Sequence, residues 1–261
     1  MAESEADWEQ ADWEFGQDSD GLPVVRYVRR EREGRPWADR LSVPAPGEDG
    51  GVVSAADPVG FVLSAMSGWV VSGSVGFGEQ LLRRGASVLR HGHTMHRSLA
   101  DEAPPGGWAA WARTPLRHGL RAVPCDRPAE ELLPACRAAY APGHPDHRPD
   151  RDGHLDLLLA GRLLGPVLPA STLAVDEHDR VVAGVVLNHF EDVPWVANVF
   201  RHPDRGYPGL GRDLLRRALG GLAEAGFDRV VLTVTEGNPA RRLYEGLGFR
   251  LEHSSLSVVI P

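Results

Sequence analysis

Apolar and polar positions follow several rhythms along this chain, and each rhythm predicts an element. RVVAGVVLNHF (180–190) and RVVLTVT (229–235) are nearly unbroken apolar runs, the pattern of strands covered on both faces. GRDLLRRALGGLAEAG sets Leu214, Leu215, Ala218, Leu219 and Leu222 on one stripe that stops at Gly226, the spacing of an amphipathic helix. STLAVD and RVVAGVVLNHF flank the turn EHD as two strands, and VPWVANVF is a third that runs into Pro203. Before them LRAVPC reads as a strand, AEELLPACRAAY as a helix and LDLLLAGRLLG as a second helix. YAPGHPDHRPDRDG, polar and proline-rich, is the loop between those helices. NPARRLYEGLG is a late helix with Asn238 at its cap and Pro239 in its first turn, and FRLEHSSLSVVI closes the chain as a strand. From about residue 119 the order is therefore βα, α, a β-meander, then βαβα and β. That is an α/β pattern of the α+β type, a mixed and mostly antiparallel sheet flanked by helices.

The first half is less regular. PVVRYVR and GWVVSG read as strands, and RPWADRLSVPAPGEDGG reads as loop. FGEQLLRRGA is a short helix ended by Gly85, and SVLRHGHTMHRSL alternates like a strand. This strand–helix–strand unit is too small to cover both faces of its own sheet. DEAPPGGW at 101–108 combines Pro and Gly and reads as a linker. The organisation expected is an acidic, mobile tail over 1–20, an α/β lobe over 21–115 and a main domain over 119–261.

Composition narrows the chemistry. With 261 residues, 42% of them hydrophobic, the chain can build a substantial core. No apolar run is long enough to span a bilayer and no secretory leader is evident, so a cytoplasmic location is expected. Cys125 and Cys136 are the only cysteines, which leaves no disulfide framework. The chain has no lysine, so Schiff-base catalysis and a P-loop lysine are excluded. The net charge of −8 is local: MAESEADWEQADWEFGQDSD holds eight of the 36 acidic residues and no basic one. The other 28 balance the 28 arginines, and no nucleic-acid surface is indicated. The tail repeats ADWE at 6–9 and 11–14, with Trp8 and Trp13 able to dock on the body.

PDRGYPGLGRDLL (203–215) carries the first chemical signal. Gly209 and Gly211 leave backbone bare just before a helix start, where unpaired N–H groups and the helix dipole can hold phosphate. A plain strand–turn–helix junction would look the same. A dinucleotide fingerprint does not fit, because GxGxxG is missing and no acidic residue ends RVVLTVT.

The second signal is LTVTEGNPARRLYEGLGFRLE (232–252). With the glycine turn upstream, it resembles the C-terminal signature of the GCN5-related N-acetyltransferases (GNAT) through Asn238, Ala240, Leu243, Tyr244, Gly248 and Phe249. The resemblance covers about 119–261. It implies that fold, and acetyl-CoA as acyl donor with no metal. The resemblance further implies that the backbone of Val199, Phe200 and Arg201 pairs with the pantetheine arm. The turn from Gly206 through Tyr207, Gly209, Leu210, Gly211 and Arg212 would wrap the pyrophosphate, and Asn238 would lie near the pantetheine. Tyr244 would stand by the sulfur and protonate the departing thiolate; a core tyrosine is the other reading of that residue.

The chain departs from the family's pattern at two places. Gly206 stands where a Gln or Arg is usual, and Pro208 removes an amide donor. The strand position that often carries a basic glutamate holds Ala197, beside Asn198. His189, Glu191 and Asp192 are candidate replacements, with water as the alternative. His144, Asp146 and His147 sit where the family places its acceptor loop, and a loop fixed by its own hydrogen bonds is the competing reading. His91, His93 and His96 alternate on a strand, yet no cysteine or carboxylate completes a zinc set in sequence. FGEQLLRRGASVLRHGH echoes ARRLYEGLGFRLEHSS, so the first lobe is either a degenerate acetyltransferase-like unit or ordinary helix–strand grammar. The partners expected are a small-molecule or peptide amine, with no nucleic acid and no membrane, and homodimerisation is left open. The function expected is N-acetyl transfer by direct attack. A non-catalytic CoA-binding module, or transfer from another acyl-CoA, are the alternatives.

Overall fold

The computed structural model describes residues 12–32, 34–45, 52–147, 151–203 and 207–261. The chain forms two compact units: residues 1–93 with 253–261, and residues 94–252. The second unit thus begins ahead of the expected main domain, and the last nine residues belong to the first.

In the first unit, β1 (Trp13–Gln17) pairs antiparallel with β2 (Pro23–Arg32), and β2 pairs antiparallel with β3 (Arg35–Ser42). β3 is parallel to β4 (Val70–Ser74), and the end of β11 (Arg250–Val259) pairs antiparallel with β4. α1 (Pro58–Ala65) starts where Asp57 accepts from the Val59 amide, with proline in the first turn. α2 (Val75–Arg83) starts at Ser74, whose hydroxyl accepts from the Phe77 amide. Their apolar faces cover a core of Val25, Val62, Leu81, Leu256 and Val258.

Two expectations change here. Within the segment read as a mobile tail, 13–17 is a strand, and Arg26 lies over the Trp13 ring at 5.1 Å. Trp8 lies outside the described residues. RPWADRLS, read as loop, is β3. Its buried residues Ala38 and Leu41 are three apart because the ladder to β4 slips between them, with Arg40 at φ 54°. A bulge of this kind destroys the two-residue alternation by which a strand is recognised.

In the second unit β5 (Ser87–Ser98) contributes from Thr94. The strand order is β5, β10 (Arg229–Thr235), β9 (Val193–Arg201), β8 (Val181–Phe190), β7 (Thr172–Val175) and β6 (Arg121–Pro124). β6, β7, β8 and β9 pair antiparallel in turn, and β9 with β10 is parallel. β8 is buried from Val181 to Asn188, as its unbroken apolar run requires. α4 (Ala129–Ala139) and α5 (Arg151–Leu159) pack around Leu132, Leu155, Leu158 and Phe200. α6 (Leu210–Glu224) and α7 (Ala240–Glu245) pack around Leu214, Leu219, Leu232 and Tyr244. All five residues of the α6 stripe are fully buried.

The expected linker is instead part of this unit. Gly107–Ala112 forms α3, and Trp108 and Trp111 meet edge to face at 5.5 Å against the α6 core. The backbones of α3 and α6 touch at Gly220. A Cβ there would stand 2.2 Å from the Ala112 nitrogen and 2.7 Å from the Trp108 carbonyl oxygen. Gly220→Ala gains helix propensity of about 1 kcal/mol. Neither clash partner is a flexible side chain, so overpacking should win and destabilise the protein by about 2 kcal/mol net. Urea unfolding measures this, and a variant as stable as the parent would contradict the close crossing.

Candidate active site

β9 and β10 pair at Trp195 and Val231, and among the described residues no ladder pair follows further along β9. The two strands part there, which leaves one edge of β9 open. His202 donates its amide to Val182 on β8, so by alternation Phe200 also turns its backbone to β8, where it pairs with Gly184. The amides of Val199 and Arg201 then face the open side. Asn198 pairs with Val186 and Val196 with Leu187, so Ala197 is an extra residue in β9, a bulge beside the opening.

Three segments converge at this end. Tyr140, which ends α4, directs its hydroxyl to Asn198 Oδ1 at 2.8 Å and to the Val199 carbonyl at 2.7 Å. The next loop folds back on itself. His147 Nδ1 meets the Tyr140 carbonyl at 2.8 Å and must donate there, since a carbonyl only accepts. His144 Nδ1 accepts the Asp146 amide at 3.0 Å, and its ring stands edge-on to Tyr140 at 5.0 Å. Asp146 then crosses to the last strand residue and the next helix. Its Oδ1 accepts from the Thr235 hydroxyl and its Oδ2 from Asn238 Nδ2 at 2.6 Å. Asn238 Oδ1 in turn accepts the Ala240 amide at 2.8 Å, which fixes the start of α7.

Tyr244 on α7 is 8% exposed and meets Phe249 edge to face at 5.8 Å. Burial first, and the charge of Asp146 second, push its phenol far above the ordinary tyrosine range. The hydroxyl therefore keeps its proton throughout the physiological range. A cysteine nucleophile finds no support. Cys136 is buried, and burial together with Asp126 pushes the Cys125 thiol up to about 11.

The glycine turn lies at the start of α6. Gly209 adopts φ +81° and precedes the helix, and the amides of Gly211 and Arg212 have no acceptor among the described residues. Gly211 has room for a Cβ, with Leu243 Cδ2 at 3.6 Å, so no neighbour within the fold requires glycine in that helical position. A phosphate approaching the backbone would require it. The residues thus fit a pyrophosphate lying along the turn and an arm lying along the edge of β9.

Residues 133–249 match the Acetyltransferase (GNAT) family model. This segment is a GNAT acetyltransferase domain. Membership of this family implies an acyl-CoA as donor. A GCN5-related N-acetyltransferase from Sphaerobacter thermophilus shares the fold at 18% identity, over 97% of this chain and 82% of its own, with a TM-score of 0.62. A GCN5-related N-acetyltransferase from Kribbella flavida does so at 17% identity, over 95% and 90%, with a TM-score of 0.54. A tandem GNAT protein from the clavulanic acid biosynthesis pathway aligns at 14% identity, over 92% and 80%, with a TM-score of 0.55. A search of curated proteins finds no match. No helix among the described residues is long and apolar enough to cross a membrane.

Several expected site residues of the GNAT domain stand elsewhere or are already engaged. Phe200 is a core side chain whose backbone serves β8, and the Val199 carbonyl is taken by Tyr140. Leu210 is fully buried and its amide reaches the Tyr207 carbonyl. Gly206 lies outside the described residues. Asn238 has a protein partner on each polar end, with one amide hydrogen to spare. His189 and Glu191 sit at the wrong end of β9. His189 pairs with Pro194 and its ring lies 5.9 Å from Phe227, ahead of β10. Glu191 and Asp192 form the exposed hairpin turn at φ 46° and 59°. The parallel register puts Thr235 roughly level with Val199, so about 20 Å of strand separates these residues from the opening. Tyr140 and Thr235 went unnoticed in the sequence, where a helix-terminal tyrosine and a strand-terminal threonine look ordinary.

Proposed function

We propose that this protein transfers the acetyl group of acetyl-CoA to the amine of a small molecule or peptide by direct attack. The observation that carries the reading is Tyr244, a buried phenol kept protonated by its burial and by the charge of Asp146, which is itself tied to the last residue of β10. Bound acetyl-CoA supplies an activated thioester carbonyl. The free amides of α6 and Arg212 hold the phosphates, and the amides of Val199 and Arg201 orient the arm. Asp146 uses one lone pair on each oxygen for Thr235 and Asn238. The Asp146 carboxylate anchors the acceptor and takes the proton from its attacking nitrogen. Tyr244 gives its proton to the sulfur as the carbon–sulfur bond breaks. Asp146 thereby fills the place left by Ala197.

The test is thiol release from acetyl-CoA across a panel of primary amines, with mass spectrometry of the acetylated product. Release only when an amine is present supports the reading. Binding of CoA without release for any amine would leave a non-catalytic module, and a preference for longer acyl chains would replace the donor. Gly209→Val should weaken CoA binding about tenfold or more, because a β-branched residue resists φ +81° and its Cβ would meet the Arg117 guanidinium. Isothermal titration measures this, and equal affinities would remove the turn from the donor site.

A further inference from the structure

We infer that Arg117, from the segment before β6, is the cationic side chain that grips the donor's pyrophosphate in place of the one missing at Gly206. The inference rests on the acetyl-CoA reading above and on the geometry around α6. Asp213, in the first turn of α6, is 2% exposed and accepts from Arg117 Nε at 2.6 Å and from Arg117 Nη2 at 3.2 Å. That fork holds the guanidinium beside Gly209, where a Cβ would come within 2.5 Å of Nη1 and 3.0 Å of Cζ. The Arg117 side chain remains half exposed. Asp213 uses two of the five guanidinium hydrogens, which leaves both hydrogens of Nη1 and one of Nη2 for a ligand. The same turn presents the unpartnered amides of Gly211 and Arg212.

Three donors of positive character therefore surround one glycine, and one of them is already held in place. A guanidinium immobilised before binding loses little rotamer freedom when it meets a phosphate. The flanking contacts brace the same approach: the His118 ring lies 5.3 Å from Tyr207, and its Nε2 is 3.5 Å from the Pro208 carbonyl. Arg117 lies outside the residues matched by the family model. Arg212 leans the other way, with Nη2 3.4 Å from a Cβ placed on Gly246, and can meet the phosphates from the α7 side.

The experiment is isothermal titration of the full-length protein with CoA, repeated from low to high NaCl. The variants are Arg117→Gln, Arg117→Gln/Asp213→Asn and Asp213→Asn. The double variant removes both charges together, so no buried carboxylate is left uncompensated if the single change unfolds the helix start. CoA affinity should fall about tenfold in both variants lacking Arg117, and the salt dependence of binding should flatten with the lost cation. Asp213→Asn keeps the cation but loosens the fork that holds it, so its CoA affinity should fall less than that of the variants lacking Arg117 and its salt dependence should stay at the parent's. Unchanged CoA affinity without Arg117 overturns the inference. So does a loss of affinity with unchanged salt dependence, which would make Arg117 only a brace for α6. A parent protein that fails to bind CoA would instead sink the donor-site reading itself.

Discussion

Tyr244→Phe should lower amine-dependent CoA release by roughly 10²- to 10³-fold while CoA affinity stays at the parent value. The change removes one oxygen from a side chain that is 8% exposed and leaves its ring against Phe249, so the fold should hold. What is lost is the proton that the leaving sulfur needs. Because burial and then Asp146 raise the phenol's affinity for that proton, Tyr244 cannot be responsible for any fall in activity below about pH 10. The same shift has a sign for stability. A tyrosine that holds its proton more tightly when folded stabilises the fold below the unfolded value near 10, and that contribution fades as the pH rises through the folded value. A variant that releases CoA as fast as the parent would return Tyr244 to the core and remove the acid from the mechanism.

Tyr244 could be proposed from the sequence because its neighbours form a local signature, and local signatures survive without coordinates. The same holds for the α6 stripe and the buried run of β8, whose periods are set by one element alone. Elements defined by a defect were not legible. β3 hides behind a bulge, and α3 behind the glycines and prolines that usually mark a linker. The groups proposed for proton transfer were harder again. His189 and Glu191 are near β9 in sequence, but proximity to a strand does not say which end carries the opening. The bonds from Asp146 to Thr235 and Asn238 span 89 and 92 residues, and Arg117 reaches Asp213 across 96. Such contacts are chosen by the way the sheet brings strand ends together, and no spacing rule encodes them. Asp146 was readable only as part of a polar loop.

Asp146→Asn should reduce kcat by roughly 10²-fold with CoA affinity unchanged, because it removes the group that takes the amine's proton and leaves the phosphate turn alone. It also reverses the polarity of one half of the contact: the new amide would set its NH₂ or its oxygen against donors from both Thr235 and Asn238, and only the oxygen can accept. Two controls separate charge from tethering. Thr235→Val deletes one tie and keeps the carboxylate, so its rate should stay within about threefold of the parent. The phenol offers a second, independent readout. With the Asp146 charge gone, the Tyr244 titration should move down toward the ordinary value yet remain above it, since burial is the larger cause. Phenolate absorbance, with Tyr244→Phe as the subtraction, follows that shift without any turnover. A rate near the parent's in Asp146→Asn would leave water as the base. A fall equal to that of Thr235→Val would reduce Asp146 to a tether for the loop.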